Sequence, residues 1–181
     1  YLPDTFDLAW SPDQLKVIDR LERAVTTGAL FALAMPRGSG KSALLRTAAL
    51  WAILTARRQY VAIVASTAGK AQDELATIKT ICETNALLVA DYPAVLYPVA
   101  QLERIAQRQK GQTYLGEHTR IEWLADKIVF PTIRGSAASG SLITASGLSS
   151  EDIRGQNHQR ADGSNIRPDL VLLDDPQTTE S

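Results

Sequence analysis

The residues with the clearest chemistry are Pro36-Arg37-Gly38-Ser39-Gly40-Lys41-Ser42, placed between an apolar run and an Ala/Leu-rich stretch. A phosphate chain is held by backbone N–H groups that point inward, and glycines let the backbone approach that closely. If a helix starts at the end of the turn, its N-terminal dipole adds to the attraction. In such a turn Lys41 would reach the terminal phosphates and the Ser42 hydroxyl would ligate Mg²⁺. The common pattern has a glycine where Met35 stands here, so the strand–turn–helix context carries much of the assignment.

The second cluster is Asp174-Asp175, which ends the apolar run Leu170-Val171-Leu172-Leu173. A carboxylate fixed at a strand end can hold Mg²⁺, directly or through water, and the next acid can polarise an attacking water. Asp174 is the expected metal residue and Asp175 the expected base. An aspartate here reaches one methylene less far than a glutamate. Apart from the glycine turn, the run would read as a strand entering a turn; the two motifs support each other.

These residues need elements to position them. Ser11 as N-cap, Pro12 in the first turn, and Leu15, Ile18, Leu21 and Val25 predict a helix from Pro12 to about Thr26. Ala29 to Ala34 reads as a buried strand feeding the glycine turn, and Lys41 to about Arg57 as a buried helix. Tyr60 to Ser66 is a second buried strand. A helix follows from about Lys70 to Asn85, with Ala71, Leu75, Ile78 and Cys82 on one face. Ala94 to Lys110 is predicted helical. Arg120–Trp123 and Lys127–Phe130 suggest a hairpin around Ala125-Asp126. Ser141–Ala145 and Asp169–Leu173 are further strands, the last one buried. The segment between Ser149 and Pro168 reads as polar and irregular. Alternating strands and helices predict an α/β domain with a largely parallel sheet flanked by helices.

Composition narrows the class. With 181 residues and 45% hydrophobic content, one domain with one core is the expectation. Nineteen Lys+Arg against twenty Asp+Glu give a net charge of -1, which offers no global electrostatic argument for nucleic acid and leaves a local basic face open. Cys82 is the only cysteine and excludes an internal disulfide. With His118 and His158 as the only histidines, a structural zinc site is not expected. No apolar run approaches a membrane span, and the first residues do not resemble a signal peptide. Because Tyr1 is not an initiator Met and Ser181 closely follows a motif, the chain is expected to be a piece of a longer protein.

In order along the chain, Trp10-Ser-Pro-Asp-Gln14, Met35 to Ser42, Val61 to Ser66, Ile153-Arg-Gly155 and Arg167 to Gln177 resemble the ATPase half of bacteriophage terminase large subunits. The resemblance spans nearly the whole chain. Its most specific parts are the Pro-Arg-Gly form of the turn and the Asp-Asp-Pro-Gln ending. It implies a P-loop NTPase of the RecA-like, ASCE type that uses ATP and Mg²⁺ to thread double-stranded DNA into a procapsid. It further implies a portal protein and a small terminase subunit as partners, homo-oligomers on the portal, and the host cytoplasm as location. A nuclease domain would follow the ATPase.

The resemblance also implies roles for single residues. Arg37 matches an arginine that contacts the γ-phosphate, although a solvated charge is the other reading. Gln14 matches an adenine-reading glutamine; its amide can donate and accept, but a polar residue on the first helix explains it equally. Arg154 could sense nucleotide, touch DNA or only hold its loop. Arg104, Arg108 and Lys110 read as a solvated helix face, and Trp10, Trp51 and Trp123 as core or anchors. In related folds a strand lies between the turn's strand and the acidic strand. That strand is missing from this sequence, which predicts a gap in the sheet and weak folding of the chain alone. A helicase-like ATPase and a nucleotide-binding module without turnover are the competing functions.

Overall fold

The computed structural model describes residues 1–3, 5–148, 156–160 and 162–175. It is an α/β domain built on a mixed five-stranded sheet. Helix α1 (Pro12–Thr27) opens on a capping box in which Ser11 accepts from the Gln14 backbone and Gln14 returns the contact. Val17, Leu21 and Val25 form its buried stripe. Helix α2 (Lys41–Leu54) buries Ala49, Ala52 and Ile53 almost completely, as its apolar composition predicts.

Strand β1 (Tyr60–Ala65) is buried at every position. Helix α3 (Ala68–Thr84) is capped by Thr67 and buries Ala71, Leu75, Ile78 and Cys82, the four residues expected on one face. Two short helices follow, α4 (Ala86–Asp91) and α5 (Pro93–Ala100), then a 3₁₀ turn at Ala106–Gln109. The continuous helix expected from Ala94 to Lys110 is therefore absent. The chain turns after Ala100, and Glu103 and Arg104 take left-handed backbone angles that a helix cannot contain.

The hairpin β2 (Thr113–Tyr114) and β3 (Glu117–His118) stands apart from the main sheet. Strands β4 (Glu122–Trp123) and β5 (Lys127–Val129) form the expected hairpin, and β6 (Leu142–Gly147) follows. A second small hairpin, β7 (His158–Gln159) with β8 (Asn165–Ile166), lies in the stretch expected to be irregular. Strand β9 (Leu170–Asp174) is the last element, and Asp175 follows it.

The main sheet runs β4-β5-β6-β1-β9. Strands β6, β1 and β9 are parallel, whereas β4, β5 and β6 pair antiparallel. The sheet is thus mixed and not largely parallel, because the β4–β5 hairpin folds back onto β6. Helices α2 and α3 pack on the face carrying Val61, Ile63, Ala65, Ile143, Ala145, Leu170 and Leu172. On the opposite face Tyr60, Val129 and Leu142 meet Ile166 of β8, so among the described residues helices cover one face only.

The expected strand at Ala29–Ala34 does not form. Residues 28–36 have no strand pairing, and Leu30 is fully exposed. The position next to β9, where such a strand would need a neighbour, holds none among the described residues. Leu170, Leu172 and Asp174 of β9 point into the protein, while Val171 and Leu173 are each 49% exposed. The last strand is therefore half-buried. Its outward side chains and the Ala29–Leu33 segment line a cavity of about 150 Å³.

Two polar clamps fix the parallel core. The Asp169 carboxylate accepts from the backbone N–H groups of Gln59 and Tyr60, both at 2.9 Å, and so sets the register of β9 on β1. Arg58 donates to the carbonyls of Val25 and Ala24, tying the end of α1 to the entry of β1. No helix among the described residues is long and apolar enough to cross a membrane.

Candidate functional site

The parallel strands bring their C-terminal ends to one side of the domain, where open α/β sheets place ligands. Here β9 delivers Asp174 and Asp175, and β1 ends in Ala65 beside them, with Ala65 paired to Asp174. The glycine turn lies against the same edge. Gly38 and Gly40 both take positive φ, 77° and 81°, which a side chain would resist. Gly40 is the N-cap of α2, and its carbonyl accepts from Leu44 N–H at 2.9 Å. The first N–H groups of a 14-residue helix are thus turned toward the turn's concavity. Ser39 closes the turn through its hydroxyl, which donates to the Pro36 carbonyl at 2.7 Å.

The site residues converge across the chain. Ser42 Oγ donates to Asp174 Oδ2 at 2.5 Å, although 132 positions separate them. Lys41 Nζ lies 3.4 Å from Asp174 Oδ1 and 3.7 Å from Asp175 Oδ1. Asp174 is 8% exposed, and its Oδ1 is buried without a hydrogen-bond partner among the described residues. The ion-pair distance from Lys41 therefore does not amount to a hydrogen bond. Asp175 differs: its side chain is 64% exposed, and its backbone takes φ 46° as the chain leaves β9.

A cleft of about 750 Å³ opens here, lined by Met35 to Ser42 on one side. Ala65, Lys70, Asp73, Glu74, Asp174 and Asp175 line the other. Pro36, Arg37, Gly38, Ser39, Gly40, Lys41 and Ser42 are thus all placed on the cleft with both aspartates. Arg37 is exposed there with no carboxylate in ion-pair range among the described residues. Gln14 does not line it. Its amide instead reaches the turn from behind, Nε2 donating to the Ser39 carbonyl at 3.0 Å. Ile153-Arg154-Gly155 and Pro176-Gln177 lie outside the described residues.

Sequence reasoning missed the wall contributed by α3. Lys70 stands at the third position after Thr67 and donates from Nζ to Ser66 Oγ at 3.1 Å. Glu74, one turn on, pairs with Arg46 of α2. The available signal was topological: β1 and β9 are parallel, so the helix that follows β1 must start beside the end of β9.

The residues set aside as structural behave in mixed ways. Trp123 is core, with its indole N–H donating to Glu83 at 2.7 Å, and Trp51 is half-buried under Arg57. Trp10 is more exposed and stacks at a tilt on Phe6. Arg104 and Arg108 pair with Glu83 and Glu103 in the turns after α5, so the basic helix face does not exist.

The geometry fits a magnesium ion held with a phosphate chain. Ser42 Oγ and Asp174 supply two hard oxygens side by side, and the orphaned Asp174 Oδ1 supplies a lone pair. Among known proteins, no family profile matches the sequence, and neither curated proteins nor solved structures give a significant match.

Proposed function

We propose that the cleft is a Mg-ATP site and that the chain is a P-loop ATPase, the motor part of a DNA-packaging enzyme like the terminase large subunit. The observation that carries the nucleotide reading is the Ser42–Asp174 contact, which joins the end of the glycine turn to the end of an acidic strand. The packaging role rests on the sequence resemblance alone, as do double-stranded DNA, the portal and the small subunit as partners.

Each residue has a physical task in this reading. The N–H groups of Gly38 to Ser42 would donate to the phosphate oxygens, and Lys41 would neutralise the terminal phosphates. Lys41 faces Asp174 and Asp175, so nucleotide binding would exchange carboxylate partners for phosphate. Ser42 and Asp174 would hold the metal, which lowers the negative charge the phosphates present. Arg37, exposed on the cleft, would approach the terminal phosphate. Asp175 is exposed to solvent and next to Lys41, where it can orient a water.

That same exposure favours a second reading, a nucleotide-binding module without turnover, because a base held loosely positions water poorly. Phosphate release from Mg-ATP separates the two. Asp175→Asn should keep binding and lose about 10²–10⁴-fold in turnover. Turnover preserved in that variant would place the base elsewhere, and a wild-type protein that binds without releasing phosphate would select the second reading.

A further inference from the structure

A second cleft, of about 460 Å³, lies at the opposite end of the parallel strands. There Val129 of β5 pairs with Leu142, the residue that begins β6 beside Tyr60. Its walls carry Arg120, Thr132, Ser139, His158 and Arg160, with Glu122 and Asp162 at the rim.

The charges there do not cancel. Glu122 is paired with Lys127 at 2.6 Å. The Asp162 carboxylate accepts from both the backbone N–H and the hydroxyl of Ser164, at 2.9 and 2.6 Å. Arg120 is exposed, is held at φ 52°, and has no carboxylate in ion-pair range among the described residues. Arg160 spends one terminal nitrogen on Gln59 Oε1 at 2.6 Å, but its Nε is buried with no partner among the described residues. An anion in the cleft would meet the other terminal nitrogen, which makes no hydrogen bond among the described residues. Thr132 and Ser139 offer hydroxyls at the same place.

We propose that this cleft is a second anion site, independent of the glycine turn, which holds a phosphate group between Arg120 and Arg160 with the Thr132 and Ser139 hydroxyls as further donors. A guanidinium presents its N–H groups as a planar fork that matches phosphate oxygens. The phosphate could belong to a small phosphate ester or to a nucleic-acid backbone. In support, the His158 imidazole is held below its usual pKa by burial first, then by the positive charges of Lys127 and Arg160, with Glu122 opposing.

His158 lines the cleft and His118, on β3, does not, so the two imidazoles report on it with a built-in control. Titration of the labelled protein with inorganic phosphate, followed by NMR, should move the His158 ring resonances saturably and leave His118 in place. Arg120→Gln, which removes a side chain with no hydrogen bond or ion pair among the described residues, should weaken that response about tenfold. An unmoved His158 through the millimolar range, equal movement of both histidines, or an unchanged response in Arg120→Gln would overturn the site. A short DNA duplex and a nucleoside monophosphate then identify the source. Tighter action by the duplex points to a phosphodiester backbone, and tighter action by the monophosphate to a small ester. Occupancy of the glycine turn reads out separately, at the Gly38 and Gly40 amides.

Discussion

The side-chain amide of Gln14 joins the first turn of α1 to the phosphate-binding loop: Oε1 accepts from Ser11 N–H at 2.9 Å and Nε2 donates to the Ser39 carbonyl at 3.0 Å. Both ends of the amide are therefore engaged within the chain. Gln14 positions the loop, and reading an adenine edge would require it to break these bonds. Gln14→Ala should lose the side-chain half of the capping box, the bond from Ser11 N–H, at a cost of about 0.5–1.5 kcal/mol, visible as a lower Tm. It should also weaken ATP and GTP binding to the same degree. A loss confined to ATP would show that Gln14 reads the base.

Gly147, at the end of β6, makes a different demand. A Cβ placed there would lie 2.7 Å from Ala68 N and 3.1 Å from the Thr67 carbonyl carbon, both backbone atoms at the start of α3. Neither can swing aside. Gly147→Ala should destabilise the protein by about 1–3 kcal/mol through overpacking, measured by denaturant unfolding. Unchanged stability would mean that α3 shifts freely at its N-terminus, and with it the Lys70 wall of the cleft.

Cys82 tests whether the core around α3 is formed in solution. Its thiol is fully buried, and burial pushes its pKa well up, with Glu83 adding to the shift. Because the thiolate is the reactive form, alkylation should be very slow in the native protein and rapid once denatured. The folded thiol holds its proton more tightly than the unfolded one. Its contribution to stability is thus complete below an unfolded pKa of about 8.5 and declines as pH rises beyond it. Rapid native labelling at neutral pH would show a core that opens readily.

Much of this architecture was legible because the relevant signals are local. The α1 cap at Ser11, the α3 stripe of Ala71, Leu75, Ile78 and Cys82, and the buried β1 follow from periodicity and capping chemistry. The strand expected at Ala29–Ala34 failed for a tertiary reason. An apolar run becomes a strand only beside a partner, and residues 28–36 pair with no strand among the described residues. The 158–166 hairpin escaped notice because two-residue strands carry no alternation to read. At the site, Ser42 and Asp174 could be paired from motif logic, whereas Gln14's hold on Ser39 and the Lys70 wall depend on how α1 and α3 pack against the loop.

Calorimetric titration of the wild-type protein and Lys41→Ala with ATP, each with and without Mg²⁺, tests the central claim most directly. The wild type should bind, more tightly with magnesium. The variant should lose about 10–100-fold in affinity, the worth of a hydrogen bond to a charged group. Equal affinity in the two proteins would contradict the account, because the lysine facing Asp174 and Asp175 would then have no part in holding a phosphate chain.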